Sequence, residues 1–191
     1  MGKTIIELLE ESVSKYGDKP FLHEARYGKD YTSITYLDVQ REAIRFAAGL
    51  IALGVEAGDR VALISEGKNN WVLGELGILH AGAVCVPLSV KLETEQDITF
   101  RINHSDTVMV LASDQQIAKL RPMKDKLPTV KRYILLDKIE SVDDGEIFFD
   151  AVKELGDALL ATDKKRVDDR IAAAAGLDPD NLPSSDPSKM N

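Results

Sequence analysis

From Gly58 to Leu88 the apolar positions run without alternation through Arg60-Val61-Ala62-Leu63-Ile64, break at Ser65 to Asn70, resume as a helix over Trp71 to Ala81, and end in a second run closing at Pro87. Unbroken apolar strands on either side of a helix are the pattern of a βαβ unit whose strands are buried on both faces of a parallel sheet. Upstream, Ile6, Leu9, Val13 and Tyr16 share one face of a segment from Thr4 to Tyr16, which predicts an amphipathic helix stopped by Gly17. Phe21 to Tyr27 and Tyr31 to Tyr36 are rich in aromatic and β-branched residues around Gly28-Lys29-Asp30, a β-hairpin pattern. Thr35 with Asp38 forms a capping box, and Tyr36, Val39, Ala43, Phe46, Leu50 and Leu53 follow at steps of three and four up to Gly54.

Downstream the unit repeats. Thr94 with Asp97 caps a helix carrying Ile98 and Ile102, before a strand over Thr107 to Ala112. Ser113 with Gln116 caps a helix carrying Ile117, Leu120 and Leu127, bent or shortened near Pro122, before a strand over Val130 to Leu136. Strands alternating with helices imply parallel pairing through right-handed crossovers, so the expectation is an α/β fold of flavodoxin or Rossmann type with four parallel strands and an appended hairpin. Beyond Asp137 the pattern weakens. Lys138 to Glu146 reads as a polar loop, Phe148, Val152, Leu155 and Leu159 mark a further amphipathic helix, and Lys164 to Ala175 another. The chain thus divides into one unit over 1–176 and a tail over 177–191, where Pro179, Pro183 and Pro187 among Asp and Ser predict disorder.

Gly74, Gly77 and Ala81 recur at helical spacing although each glycine costs about 0.8–1 kcal/mol relative to alanine, so close approach of that helix to a neighbour is expected. The formal charge of −8, from 32 acidic and 24 basic residues spread along 191, disfavours a nucleic-acid partner. One cysteine, Cys85, read as a small core residue of a buried strand, excludes an intrachain disulfide and suits a reducing, cytoplasmic setting. No apolar run approaches the ~20 residues of a membrane span, and the acidic first helix is unlike a signal sequence.

The phosphate loop Gly, four residues, Gly-Lys-Ser/Thr is missing, because Gly67-Lys68 is followed by Asn69, and the dinucleotide glycine pattern is missing too. Ser65-Glu66-Gly67-Lys68-Asn69-Asn70 follows a buried strand and opens a helix, where free N–H groups favour an anion. It reads either as an ordinary turn capped by Asn69 or Asn70 or as a surface facing substrate. His23, His80 and His104 are scattered without metal-ligand spacing, and there is no Gly-x-Ser-x-Gly elbow. Asn103-His104-Ser105 matches the glycosylation triplet by chance, and Asp143-Asp144 and Asp168-Asp169 read as solvated charges. No catalytic, cofactor-binding or metal-ligating residue is assigned.

Gly58-Asp59-Arg60-Val61-Ala62-Leu63-Ile64-Ser65-Glu66, Trp71 and Leu79-His80-Ala81-Gly82-Ala83-Val84-Cys85-Val86-Pro87-Leu88, with Ile34-Thr35-Tyr36-Leu37-Asp38-Val39 before them, resemble the front half of the adenylate-forming acyl-CoA synthetases. The likeness runs from about Thr4 to Leu136 and is strongest to the long-chain fatty-acid branch. It implies activation of a carboxylic acid by ATP and Mg²⁺ to an acyl-adenylate, then transfer to the thiol of coenzyme A, with fatty acid, ATP and CoA as partners. The family's glycine-rich phosphate loop, adenine contacts and catalytic lysine are absent here. Asp178-Pro179-Asp180-Asn181-Leu182 resembles the segment before that loop, but Ser184-Ser185-Asp186-Pro187-Ser188-Lys189 lacks its glycines. The resemblance therefore implies the N-terminal portion of a synthetase domain, inactive alone, with no cofactor bound and an exposed interdomain face prone to self-association. Peripheral membrane contact fits a long-chain substrate, although no basic amphipathic helix appears. The alternatives are another adenylating ligase, for aryl, medium-chain or amino acids, or a non-catalytic flavodoxin-like binding module.

Overall fold

The computed structural model describes residues 3–25 and 31–176. The chain runs α1 (Ile5–Tyr16), β1 (Pro20–Ala25), β2 (Tyr31–Thr35), α2 (Tyr36–Ala52), β3 (Arg60–Ile64), α3 (Asn69–His80), β4 (Val84–Pro87), α4 (Glu95–His104), β5 (Thr107–Ala112), α5 (Asp114–Leu120), a 3₁₀ helix (Arg121–Lys126), β6 (Arg132–Leu135), β7 (Glu146–Phe148) and α6 (Phe149–Ala175). The glycine turn expected at 28–30 and the tail at 177–191 lie outside the described residues.

Strands β3 to β7 form one parallel sheet in the order β4-β3-β5-β6-β7. Period-two alternation splits its side chains between two cores. Val61, Leu63, Met109, Leu111, Ile134 and Leu136 pack against α2, α3 and α6, and Ala62, Ile64, Val110, Ala112, Tyr133 and Leu135 against α4, α5 and the 3₁₀ helix. The antiparallel pair β1–β2 stands apart as its own sheet and is tied to the body by Phe21, stacked on Tyr36 with ring centroids 4.3 Å apart.

The predicted caps are made. The Thr4 hydroxyl accepts from the Glu7 N–H and the Glu7 carboxylate accepts from the Thr4 N–H, while Thr35, Thr94 and Ser113 accept from the N–H groups of Asp38, Asp97 and Gln116. Gly77 lets α3 settle on α2, since a Cβ there would stand 2.5 Å from Phe46 Cδ1 and 3.2 Å from the Ala43 carbonyl. The closest helix contact is elsewhere. A Cβ on Gly156 would lie 1.9 Å from the Arg45 carbonyl, and one on Gly49 2.0 Å from that of Val152, so α2 and α6 cross backbone to backbone. Phe46 stacks on Phe149 at 4.1 Å beside this crossing, and the Arg45 guanidinium donates to Asp157 and Glu42.

Several expectations are corrected. The sheet has five strands rather than four, because Glu146–Phe148, read as the junction between a loop ending at Glu146 and a helix marked from Phe148, pairs with Tyr133–Leu135. The carboxylate of Glu146 is wholly enclosed and bonded by Arg121 and Lys124, which is how a charged residue enters a strand. The last two predicted helices are both present, running on as α6 across a kink at Asp163 (φ −148°, ψ 61°), whose carboxylate accepts from the Arg166 N–H and caps the second of them. Its buried stripe is Phe149, Val152 and Gly156, leaving Leu155 exposed. Pro122 ends α5 early, so Leu127 follows a 3₁₀ turn rather than completing an α-helix. Cys85 packs against the core as expected but is only partly buried, because β4 is the last strand at one side of the sheet.

Candidate functional site

The connection from β3 to β4 runs toward one edge of the sheet, and that from β4 to β5 crosses back, so β3 and β5 flank the topological switch point. Open α/β sheets present their ligand crevice there, outside the carboxyl ends of the strands. The loops that meet at this end follow β3 (Ser65 to Lys68), β5 (Ser113) and β6 (Leu136 and Asp137).

Side chains bind these loops to one another. The Lys68 ammonium donates to both oxygens of Asp137 at 2.7 Å, and Asp137 Oδ2 also accepts from the Asp114 N–H at the start of α5 at 2.9 Å. The Asn70 amide donates to the Leu136 carbonyl at 2.8 Å. Gln116 Nε2 donates to Glu66 Oε1 at 2.7 Å, leaving Gln116 Oε1 buried without a partner among protein atoms. Burial pushes the Glu66 carboxyl up, but hydrogen bonds from Ser113 and Gln116 outweigh it and hold the group below the ordinary carboxylate range.

Neither asparagine of the turn from Ser65 to Asn70 caps α3. The N-cap of α3 is Lys68, with no side-chain cap, because Asn69 already belongs to the helix and Asn70 is committed to the Leu136 carbonyl. Lys68 is the cation that a phosphate would need, and Asp137 neutralises it; the same carboxylate takes the first N–H of α5. These residues do not fit the phosphates of ATP, and the arrangement is a polar clasp joining three loops. Lys68 and Asp137 stand 69 residues apart, and what marks them in the sequence is only that each follows the apolar run of a strand.

The remaining candidates stay apart. His23 is on β1, His80 is buried at the end of α3 with Nδ1 2.6 Å from the Leu76 carbonyl, and His104 stacks on Phe100 of α4. Among the described residues no group of three or more His, Cys, Asp or Glu could hold a metal. Burial, with a smaller contribution from Glu75, pushes the Cys85 thiol up to about 12, far from a ready nucleophile. Asp143 pairs with Arg121, Asp168 with Lys164 and Asp169 with Lys165, ordinary surface ion pairs. At the opposite end of the sheet a shallow groove of about 470 Å³ is lined by Ala57, Asp163, Arg166 and Arg170 among others. Arg170 donates there to the carbonyls of Val55 and Ala81, fastening α6 to the chain ends of α2 and α3. No described helix is long and apolar enough to cross a membrane.

Comparison with known proteins decides the family. Residues 9–184 match the model of the AMP-binding enzymes. The chain belongs to that family. It is 32% identical over 137 residues to the long-chain-fatty-acid–CoA ligase heimdall of Drosophila melanogaster, covering 70% of this chain and 20% of the relative. A long-chain-fatty-acid–CoA ligase of Rattus norvegicus, ACSBG2, is 32% identical over 135 residues, 69% of this chain and 20% of that protein. The chain thus spans about a fifth of the length of these relatives. Among solved structures, the anthranilate CoA ligase AuaEII in complex with anthranoyl-AMP superposes with a TM-score of 0.68 at 18% identity, over 78% of this chain and 26% of that one. The fold is therefore part of the adenylate-forming ligase architecture, and the family likeness seen around Gly58 to Leu88 is borne out.

Proposed function

We propose that this chain is the N-terminal subdomain, residues 1–176 with a tail to 191, of a long-chain fatty-acid–CoA ligase. The complete enzyme uses ATP and Mg²⁺ to form an acyl-adenylate and then a thioester with coenzyme A, in the cytoplasm. The observation that carries this reading is the family match over 9–184, together with 32% identity to ligases named for long-chain fatty acids. In that enzyme the present residues supply a scaffold and one wall rather than the reacting groups, since the clasp at Lys68 and Asp137 is already neutral. The chain alone is inactive and self-associates through the face its missing partner would cover.

Incubation with ATP, Mg²⁺, palmitate and coenzyme A, followed by pyrophosphate release, is expected to match a no-protein blank. Turnover above the blank overturns the inactivity. The substrate class is tested on the protein encoded by the uninterrupted reading frame, if that frame runs past Asn191. Palmitate is expected to be activated in preference to benzoate, hexanoate and the free amino acids.

A further inference from the structure

The two halves of α6 are held to the body by different means. Thr162 closes the first half, its hydroxyl donating back to the Ala158 and Leu159 carbonyls at 2.9 and 3.3 Å, and the chain leaves the helical path at Asp163 before the second half begins. Residues 161–166 are all exposed, so no packed side chain among them fixes the angle between the halves. The first half is clamped. Gly156 lies against the Arg45 carbonyl, Phe149 stacks on Phe46, and Asp157 and Lys153 are bonded to Arg45 and Glu42 at 2.7 and 2.8 Å. The second half, 164–175, has only two apolar side chains larger than alanine, Val167 and Ile171, to set into the core beside Ala172 and Ala175. Its ion pairs Lys164–Asp168 and Lys165–Asp169 run along the helix itself.

Arg170 ties this second half down. Its stem passes over Gly82, with Cδ 3.3 Å from where a Cβ would stand there. Its guanidinium donates to the Val55 and Ala81 carbonyls at 3.3 Å each and to Glu56 at 3.5 Å. A cation suits the carbonyl end of a helix, and Ala81 caps α3, but all three distances exceed the roughly 2.7–3.2 Å of an ordinary N–H···O bond. We propose that residues 164–175 form a strap, latched by Arg170, that leaves the body as one unit about a hinge at Asp163 while 149–162 stay docked on α2. The helix is already interrupted at Asp163, so a swing there spares the hydrogen bonds of the first half. Detachment withdraws Val167 and Ile171 from the core, and a helix this short is marginal in water once its packed face is lost. The opened strap therefore unravels and exposes its amides together. Opening also bares the turns at Val55 to Ala57 and Ala81 to Gly82, which the Arg170 side chain covers in the closed state.

The inference uses no part of the ligase reading, and its test reads no ligase chemistry. Hydrogen exchange of the whole chain at neutral pH, followed by mass on peptides, is expected to show the amides of 167–175 exchanging together and at least about tenfold faster than those of 152–161. Arg170→Ala is expected to speed the strap about tenfold further, as the loss of hydrogen bonds from a charged donor does, and to leave 152–161 unchanged. Arg170→Lys, which keeps a charge and a donor, recovers part of that protection. Arg45→Ala, which loosens the first half, leaves the strap's own rate as it is. Equal rates for the two halves of the natural chain overturn the proposal, with no variant needed. So does an Arg170→Ala that speeds both halves alike or neither, or an Arg45→Ala that speeds the strap as much as the first half.

Discussion

At the scale of single residues the chain carries two enclosed titratable groups that both cost stability as the pH falls, over different windows. His80 is fully enclosed, with Nδ1 against the Leu76 carbonyl and Nε2 unpartnered, and burial lowers its pKa from the usual 6.5 despite that hydrogen bond. The unfolded chain therefore binds the proton more readily, so the contribution of His80 to stability is complete above pH 6.5 and is lost as the pH falls below it. Glu146 behaves as a paired carboxylate. Burial pushes it up, but hydrogen bonds from Arg121 and Lys124 bring it down to about 2, so its contribution is present above about pH 4.5 and disappears between there and 2. Urea unfolding followed against pH is expected to show stability declining in two stages, one beginning near neutrality and one below pH 4.5. In His80→Gln the first stage should be absent, and in Glu146→Gln the second should shrink without vanishing, because Glu66 and Asp157 are also held below the ordinary carboxylate range. A profile flat down to pH 5 in the natural chain contradicts the burial of His80.

Elements are where local pattern and tertiary contact part company. The crossing of α2 and α6 depends on Gly49 and Gly156, and Gly156→Ala is expected to destabilise the chain by about 1–3 kcal/mol. That loss comes despite the roughly 1 kcal/mol by which alanine favours a helix interior. Leu155→Ala, one position earlier and exposed, should stay within about 0.5 kcal/mol, and equal midpoints in urea for the two variants count against the crossing. The glycines of α3 announced themselves by spacing, since Gly74 and Gly77 fall on one face. Gly156 did not, because reading the α6 stripe through Leu155 puts the apolar face one residue off and hides the glycine among polar positions. The capped helices α1, α2 and α4 and strands β3, β5 and β6 were legible because cap, periodicity and stop residue agree in each. Strand β7 was not, because three residues led by a glutamate hold no periodicity, and the reason a charge belongs there lies at Arg121, 25 residues upstream. The clasp was hidden for the same reason: Lys68, Asp137, Glu66 and Gln116 become partners only when the sheet order brings their loops together.

For the whole molecule, family and architecture could be read from Gly58 to Leu88, while the candidate site could not be read as a catalytic one because its polar groups satisfy each other. A direct consequence concerns nucleotide. With Lys68 and the first N–H of α5 both held by Asp137, ATP with Mg²⁺ at millimolar concentration is expected to leave the melting temperature unchanged. A ligand at a hundred times its Kd would add about 2.7 kcal/mol, so a rise of several degrees would show that the clasp opens. The two apolar layers leave a last consequence. Because helices clothe the sheet above and below, the described residues leave no bare floor for another polypeptide to settle on, and only the rims of the outermost strands β4 and β7 and the outer surfaces of the helices remain for one to meet.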